Sequence, residues 1–76
     1  MSKETYFTRY SLIIKRLERG PANFEELEKY LQNESYIQDK DLNISRRTFQ
    51  RDIKDIFSQL NIEIENEKKG AYRYFI

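Results

Sequence analysis

The chain has no cysteine and no histidine, and each absence removes a class of chemistry. Without cysteine there is no disulfide framework, no thiolate zinc site and no thiol nucleophile, so the core rests on hydrophobic packing alone. Without histidine the commonest general base and the commonest metal ligand are missing, and no glycine-rich phosphate loop takes their place. Neither catalysis nor a bound cofactor or metal is expected. No apolar run approaches the roughly eighteen residues that a membrane span needs. Met1-Ser2-Lys3-Glu4 does not open a signal peptide either, which leaves a cytoplasmic location as the expectation.

Glycine and proline are scarce, two and one in 76 residues, while charged residues make up 36 % and apolar residues 38 %. That balance describes a charged helical domain and not a disordered tract. At this length the chain reads as one domain, residues 1–76, burying only roughly 60 % of its unfolded surface. The net charge is +1, yet it is unevenly spread. Residues 1–22 are basic through Lys3, Arg9, Lys15, Arg16 and Arg19. Residues 23–43 hold Glu25, Glu26, Glu28, Glu34, Asp39 and Asp41 against Lys29 and Lys40. Residues 44–61 turn basic again with Arg46, Arg47, Arg51 and Lys54.

Phe7, Tyr10, Ile14 and Leu17, widened by Ile13, recur at helical spacing and predict a first helix, which Gly20-Pro21 ends. Asn23 and Glu26 have the spacing of a capping box, so a second helix is expected from Phe24, with Leu27 and Leu31 on its apolar side. Its pattern fails at Glu34, Ser35 and Gln38. Residues 34–44 therefore read as a connecting segment in which Tyr36, Ile37, Leu42 and Ile44 still need burial. Ser45 is a good N-cap for a third helix over about 46–60, with Phe49, Ile53, Ile56 and Leu60 along one side and Phe57 at its edge. Beyond Asn61 the period changes to two. Ile62 and Ile64, a turn at Lys68-Lys69-Gly70, then Tyr72, Tyr74 and Ile76 predict a two-stranded hairpin with a basic tip, which must pack on the helices to be stable.

The third helix carries the chemistry. Arg47, Gln50, Arg51, Lys54 and Ser58 share an arc of about 100° turned away from its apolar side, with Thr48, Asp52 and Asp55 on the remaining flank. Arg46 and Arg47 also stand in the first turn, where the helix dipole disfavours cations, and Arg47 and Arg51 repel as an i, i+4 pair. A polyanion relieves both penalties, because phosphate binds the amides at a helix start and pairs with guanidinium. A cationic third helix followed by a hairpin with a basic tip has the order of a winged helix-turn-helix, an α+β fold. In that reading Arg46, Lys68, Lys69 and Arg73 take phosphates, and Arg47, Gln50 and Arg51 reach base edges of duplex DNA. Glu25, Glu26 and Glu28 point in different directions on a helix and are better explained by the dipole than by a metal. The rival function is a winged helix that docks proteins through its acidic second helix.

The stretch Ile44-Ser45-Arg46-Arg47-Thr48-Phe49-Gln50-Arg51-Asp52-Ile53, with Ile56 and Leu60 after it, resembles the recognition helix of the N-terminal winged helix-turn-helix of DeoR-type and bacterial WYL-domain transcriptional regulators. Gly70-Ala71-Tyr72-Arg73-Tyr74 resembles their wing strand, with Ala71 set between Gly and Tyr. The connecting segment at 34–44 is longer than the turn usual in that motif. The resemblance implies that Ser45, Arg46, Arg47, Thr48, Gln50 and Arg51 face DNA or its phosphates. It gives Asp52 a structural or charge-orienting role. It also implies a cytoplasmic, nucleoid-associated regulator, compatible with a homodimer on palindromic sites, whose effector acts only through a C-terminal region that this chain lacks.

Overall fold

Three helices and a short antiparallel hairpin follow one another in the computed structural model, which describes residues 3–76, with side chains from Tyr6 onward. The architecture is an α+β winged helix-turn-helix. Helix α1 (Lys3–Glu18) ends before Gly20, whose φ of +149° lies where a glycine is favoured, and Arg16 donates to the Gly20 carbonyl at 3.2 Å. Helix α2 (Phe24–Gln38) begins with the expected capping box. The Asn23 side chain accepts from the Glu26 amide at 2.8 Å, and the Glu26 carboxylate accepts from the Asn23 amide at 3.1 Å. Helix α3 (Arg46–Leu60) starts at Ser45, which accepts from the Thr48 amide, and stops at Asn61 in the left-handed region.

The connecting segment is shorter than the sequence pattern suggests. Residues 34–38 belong to α2, and only residues 39–45 link it to α3. Ser35 makes this tight turn workable: its hydroxyl donates to the Leu31 carbonyl and accepts from the Leu42 amide, both at 2.8 Å. Asp39 adopts φ +52° to close the helix. Leu42 and Ile44 then drop into the core, whereas Tyr36 and Ile37 remain 91 % and 71 % exposed on the last turn of α2. The expectation that all four be buried holds for two.

The hairpin is also shorter than the alternation at 62–76 suggests. Its strands are β1 (Glu65–Asn66) and β2 (Tyr74–Phe75), paired Glu65 to Phe75 and Asn66 to Tyr74. The turn residue Gly70 and, less commonly for an aromatic residue, Tyr72 take positive φ, +74° and +53°. Strand extension is therefore interrupted before Tyr74. A missing third edge is supplied from an unexpected place: Ala22, between α1 and α2, exchanges both backbone hydrogen bonds with Tyr74 at 2.7 and 3.0 Å. This bridge docks the wing on the helices.

Ile13, Leu17, Leu27, Leu31, Leu42, Phe49 and Ile56 form the centre of the core. Each such side chain stabilises by about 1.5–3 kcal/mol when fully buried. Helices α1 and α3 face this core with most of their apolar stripes, Tyr10, Ile13 and Leu17 on one and Phe49 and Ile56 on the other, but each is rotated off one edge of its stripe. Helix α1 buries Arg9 and Leu12 and exposes Phe7; α3 buries Asp52 and exposes Phe57 and Leu60. On a wheel of 100° per residue, both helices are turned by roughly 50° from the stripe centre, and each turn brings one member of an ion pair inward.

Candidate nucleic-acid interface

Helix α3 contains two acids, and both are drawn toward α1. Asp52 accepts from Arg9 through both carboxylate oxygens, at 2.6 Å from Nε and 2.7 Å from Nη2, with both side chains sealed from solvent. Asp55 accepts from the Tyr10 hydroxyl at 2.8 Å. Burial, then this hydrogen bond, pushes the Tyr10 pKa up to about 12. The opposite side of α3 is consequently lined by Arg47, Gln50, Arg51, Lys54 and Ser58, all exposed. No acid of α3 shares that arc.

The expected site residues divide into two groups. Arg47, Arg51 and Lys54 on α3, and Lys68 and Lys69 at the hairpin turn, have no carboxylate at ion-pair distance among the described residues. Arg47 and Arg51 also flank a hollow of about 340 Å³ with Thr48. The other expected residues are engaged within the fold. Arg46 donates to Glu25 at 2.7 Å and lies over the Phe24 ring, 4.5 Å from its centroid. Arg73 bonds Glu67 at 3.1 Å across the hairpin. The Ser45 hydroxyl donates to the Thr48 hydroxyl at 3.0 Å, so both side chains serve the cap. Gln50 donates to the Tyr74 hydroxyl at 3.1 Å. The Arg46 and Arg73 pairs are solvent-exposed and worth about 0–1 kcal/mol, so a stronger anion can displace either carboxylate.

Tyr74 holds the two parts of the surface in register. Its ring meets Phe49 edge-on at 4.8 Å, its hydroxyl takes Gln50, and its backbone is fixed by Ala22. The wing is therefore tied to the N-terminal half of α3. A cleft of about 340 Å³ lies between them and the start of α2, lined by Phe24, Glu25, Arg46, Asn66 and Tyr72 among others.

Composition and periodicity did not single out Arg9, Glu25, Glu67 or the Tyr10–Asp55 bond. One signal for Arg9 stood in the sequence, since it lies within an apolar helical stretch, but its partner is 43 residues away. No helix among the described residues is long and apolar enough to cross a membrane. No protein-family model, curated protein or solved structure matches the chain.

Proposed function

We propose that this winged helix binds duplex DNA as the reading module of a transcriptional regulator, without catalysing a reaction. One observation carries the proposal: the solvent face of α3 presents Arg47, Gln50, Arg51 and Lys54, while both acids of the same helix are held by α1. An α-helix fits the major groove, where Arg and Gln are suited to guanine and adenine edges. Arg47, Gln50 and Arg51 read bases in this scheme, and Lys54 supports them. Lys68 and Lys69 hold the flanking backbone. Arg46 and Arg73 join once phosphate replaces Glu25 and Glu67, and the Ser45 cap presents the first amides of α3 to a phosphate. Bound to chromosomal DNA, the protein works in the cytoplasm at the nucleoid, as a homodimer where the site is palindromic.

Titration of a fluorescent mixed-sequence duplex at about 50 and 200 mM salt tests this. Log affinity is expected to fall with log salt at about −0.9 for each phosphate neutralised. Salt-independent binding, or none, overturns the reading.

A second reading, docking of a partner protein through the acidic second helix, is favoured by Tyr36 and Ile37, adjacent and strongly exposed on the last turn of α2. It predicts that substitution of these two residues leaves DNA untouched and removes a protein partner.

A further inference from the structure

A groove of about 380 Å³ runs between α1 and α3, lined by Tyr6, Phe7 and Tyr10 from the first helix and by Arg51, Asp55 and Gln59 from the third. Helical spacing explains the lining. Tyr6 and Tyr10 stand one turn apart on α1, and Arg51, Asp55 and Gln59 follow at i, i+4 and i+8 on α3, so one wall is aromatic and the other polar. The aromatic wall is held from behind. Phe7 meets Tyr10 edge-on with centroids 6.3 Å apart, and the buried Arg9 guanidinium lies 5.3 Å from the Tyr6 centroid and 5.8 Å from that of Tyr10. Phe7 itself is left 44 % exposed.

On the polar wall, Arg51 and Asp55 carry opposite charges at a spacing that ordinarily lets them pair. They do not pair, and neither has any other ion-pair partner among the described residues. Asp55 is turned to α1 instead, where its Oδ2 accepts from the Tyr10 hydroxyl at 2.8 Å, and its Oδ1 accepts no hydrogen bond among the described residues. Two unanswered charges of opposite sign thus share one groove with three aromatic rings. A purely anionic guest meets Asp55, and a purely cationic one meets Arg51. A guest that answers both has a carboxylate and an ammonium on neighbouring atoms and an apolar body. We infer that this groove binds a free α-amino acid with an aromatic side chain. Its carboxylate takes the Arg51 fork, its ammonium donates to Asp55 Oδ1, and its ring lies against Phe7 and Tyr6. The volume falls in the range of small-molecule sites, about 300–1,000 Å³, and admits one such molecule.

Arg51 gives the site a consequence. It also lines the hollow that Arg47 and Thr48 form on the solvent side of α3, where the proposed function assigns it to base edges. A guanidinium held by an amino-acid carboxylate is lost to DNA, so amino acid and duplex compete for it, and each weakens the other by the same factor. This competition rests on DNA binding as proposed above; the site itself does not.

The chain contains no tryptophan, so the fluorescence anisotropy of an added indole ligand reports binding directly. Tryptophan is expected to saturate the protein at about 1 mM or below. Tryptamine and indole-3-propionate, each lacking one charged end, should bind at least about tenfold more weakly. Phe7→Ala, checked for folding by thermal melting, should lose tryptophan affinity by about tenfold as well. On a mixed-sequence duplex at fixed salt, saturating tryptophan should weaken the wild type about fivefold or more, and the same concentration should leave Phe7→Ala unchanged. Equal affinity for the three ligands, or none, overturns the site, and the wild type alone decides this. Undiminished tryptophan binding by folded Phe7→Ala overturns it too. Selective tryptophan binding that leaves duplex affinity unaltered overturns the competition for Arg51. Selective binding by a protein that takes up no duplex supports the site and removes the DNA reading.

Discussion

Arg9 and Asp52 join the first and third helices through two parallel hydrogen bonds of 2.6 and 2.7 Å, in a place that solvent does not reach. Burial pushes the Asp52 carboxyl up, and the Arg9 bonds pull against that rise. Burial also opposes the Arg9 charge, but there the bonds and charge of Asp52 win and raise its proton affinity. Both partners thus shift upward, Arg9 as attraction to a carboxylate requires and Asp52 against it, because burial outweighs the attraction there. Both carboxylate oxygens accept charge-assisted bonds in a bidentate geometry, which keeps the pair ionised at neutral pH. Its consequence is orientational. It sets the turn of α3 about its axis, and so which residues of α3 face outward.

Removing one partner strands the other charge. Arg9→Leu or Asp52→Leu is expected to cost about 3–5 kcal/mol, enough to leave much of so small a domain unfolded. The double variant Arg9→Leu/Asp52→Leu should recover most of that loss, since a buried pair is often neutral against apolar residues of similar size. Urea unfolding of the three variants decides it. A double variant no more stable than either single would show that the pair stabilises the fold outright.

Tyr10 gives an alkaline signature. Its folded pKa, about 12, lies above the usual value of 10.0, so folding favours the neutral phenol. The stability this provides, about 2–3 kcal/mol, is fully present below pH 10 and is lost as pH rises through about 12. Ultraviolet titration of phenolate should show a late step near pH 12 that Tyr10→Phe removes. Persistence of that step in Tyr10→Phe would assign it to another tyrosine.

Local signals in the sequence were reliable here, and long-range ones were not. Asn23, Glu26 and Ser45 act within four residues of themselves, so their caps were readable from spacing. The exposed arc of α3 was readable too, because Arg47, Gln50, Arg51 and Lys54 lie opposite any reasonable burial direction. What periodicity missed was the turn of α1 and α3 about their axes. Apolar spacing put Phe7 on the α1 stripe and Phe57 and Leu60 on the α3 stripe, whereas the buried ion pair pulls Arg9 and Asp52 inward and leaves Phe7, Phe57 and Leu60 in solvent. Likewise, the strand pairing of Ala22 with Tyr74 spans most of the chain and leaves no local trace.

Two substitutions separate reading from holding. Arg47→Ala is expected to relax sequence preference and cost about 1–3 kcal/mol on a preferred duplex. Lys69→Ala should weaken every duplex to a similar degree and flatten the salt slope by about one. Neither touches the core, since both side chains are exposed, so thermal melting should stay near that of the wild type. Equal losses on all sequences for both variants would contradict the division between α3 and the wing.

Glu25 is the most informative single position, because it sets the competition for Arg46. In the free protein its carboxylate holds Arg46 at 2.7 Å, with the guanidinium over Phe24, while Glu25 itself sits favourably in the first turn of α2. In the proposed DNA complex, Glu25→Gln removes a repulsive charge from near the phosphates and leaves Arg46 on its aromatic support without an anionic partner. Stability should fall by less than about 1 kcal/mol, the scale of an exposed pair and a dipole contact. Affinity should rise for every duplex, with a salt slope steeper by as much as about one, because phosphate no longer displaces a carboxylate. Arg46→Ala should shift affinity the opposite way. If Glu25→Gln leaves both affinity and slope unchanged, Arg46 stays on Phe24 in the complex, and the backbone contacts at the front of α3 come from the helix amides alone.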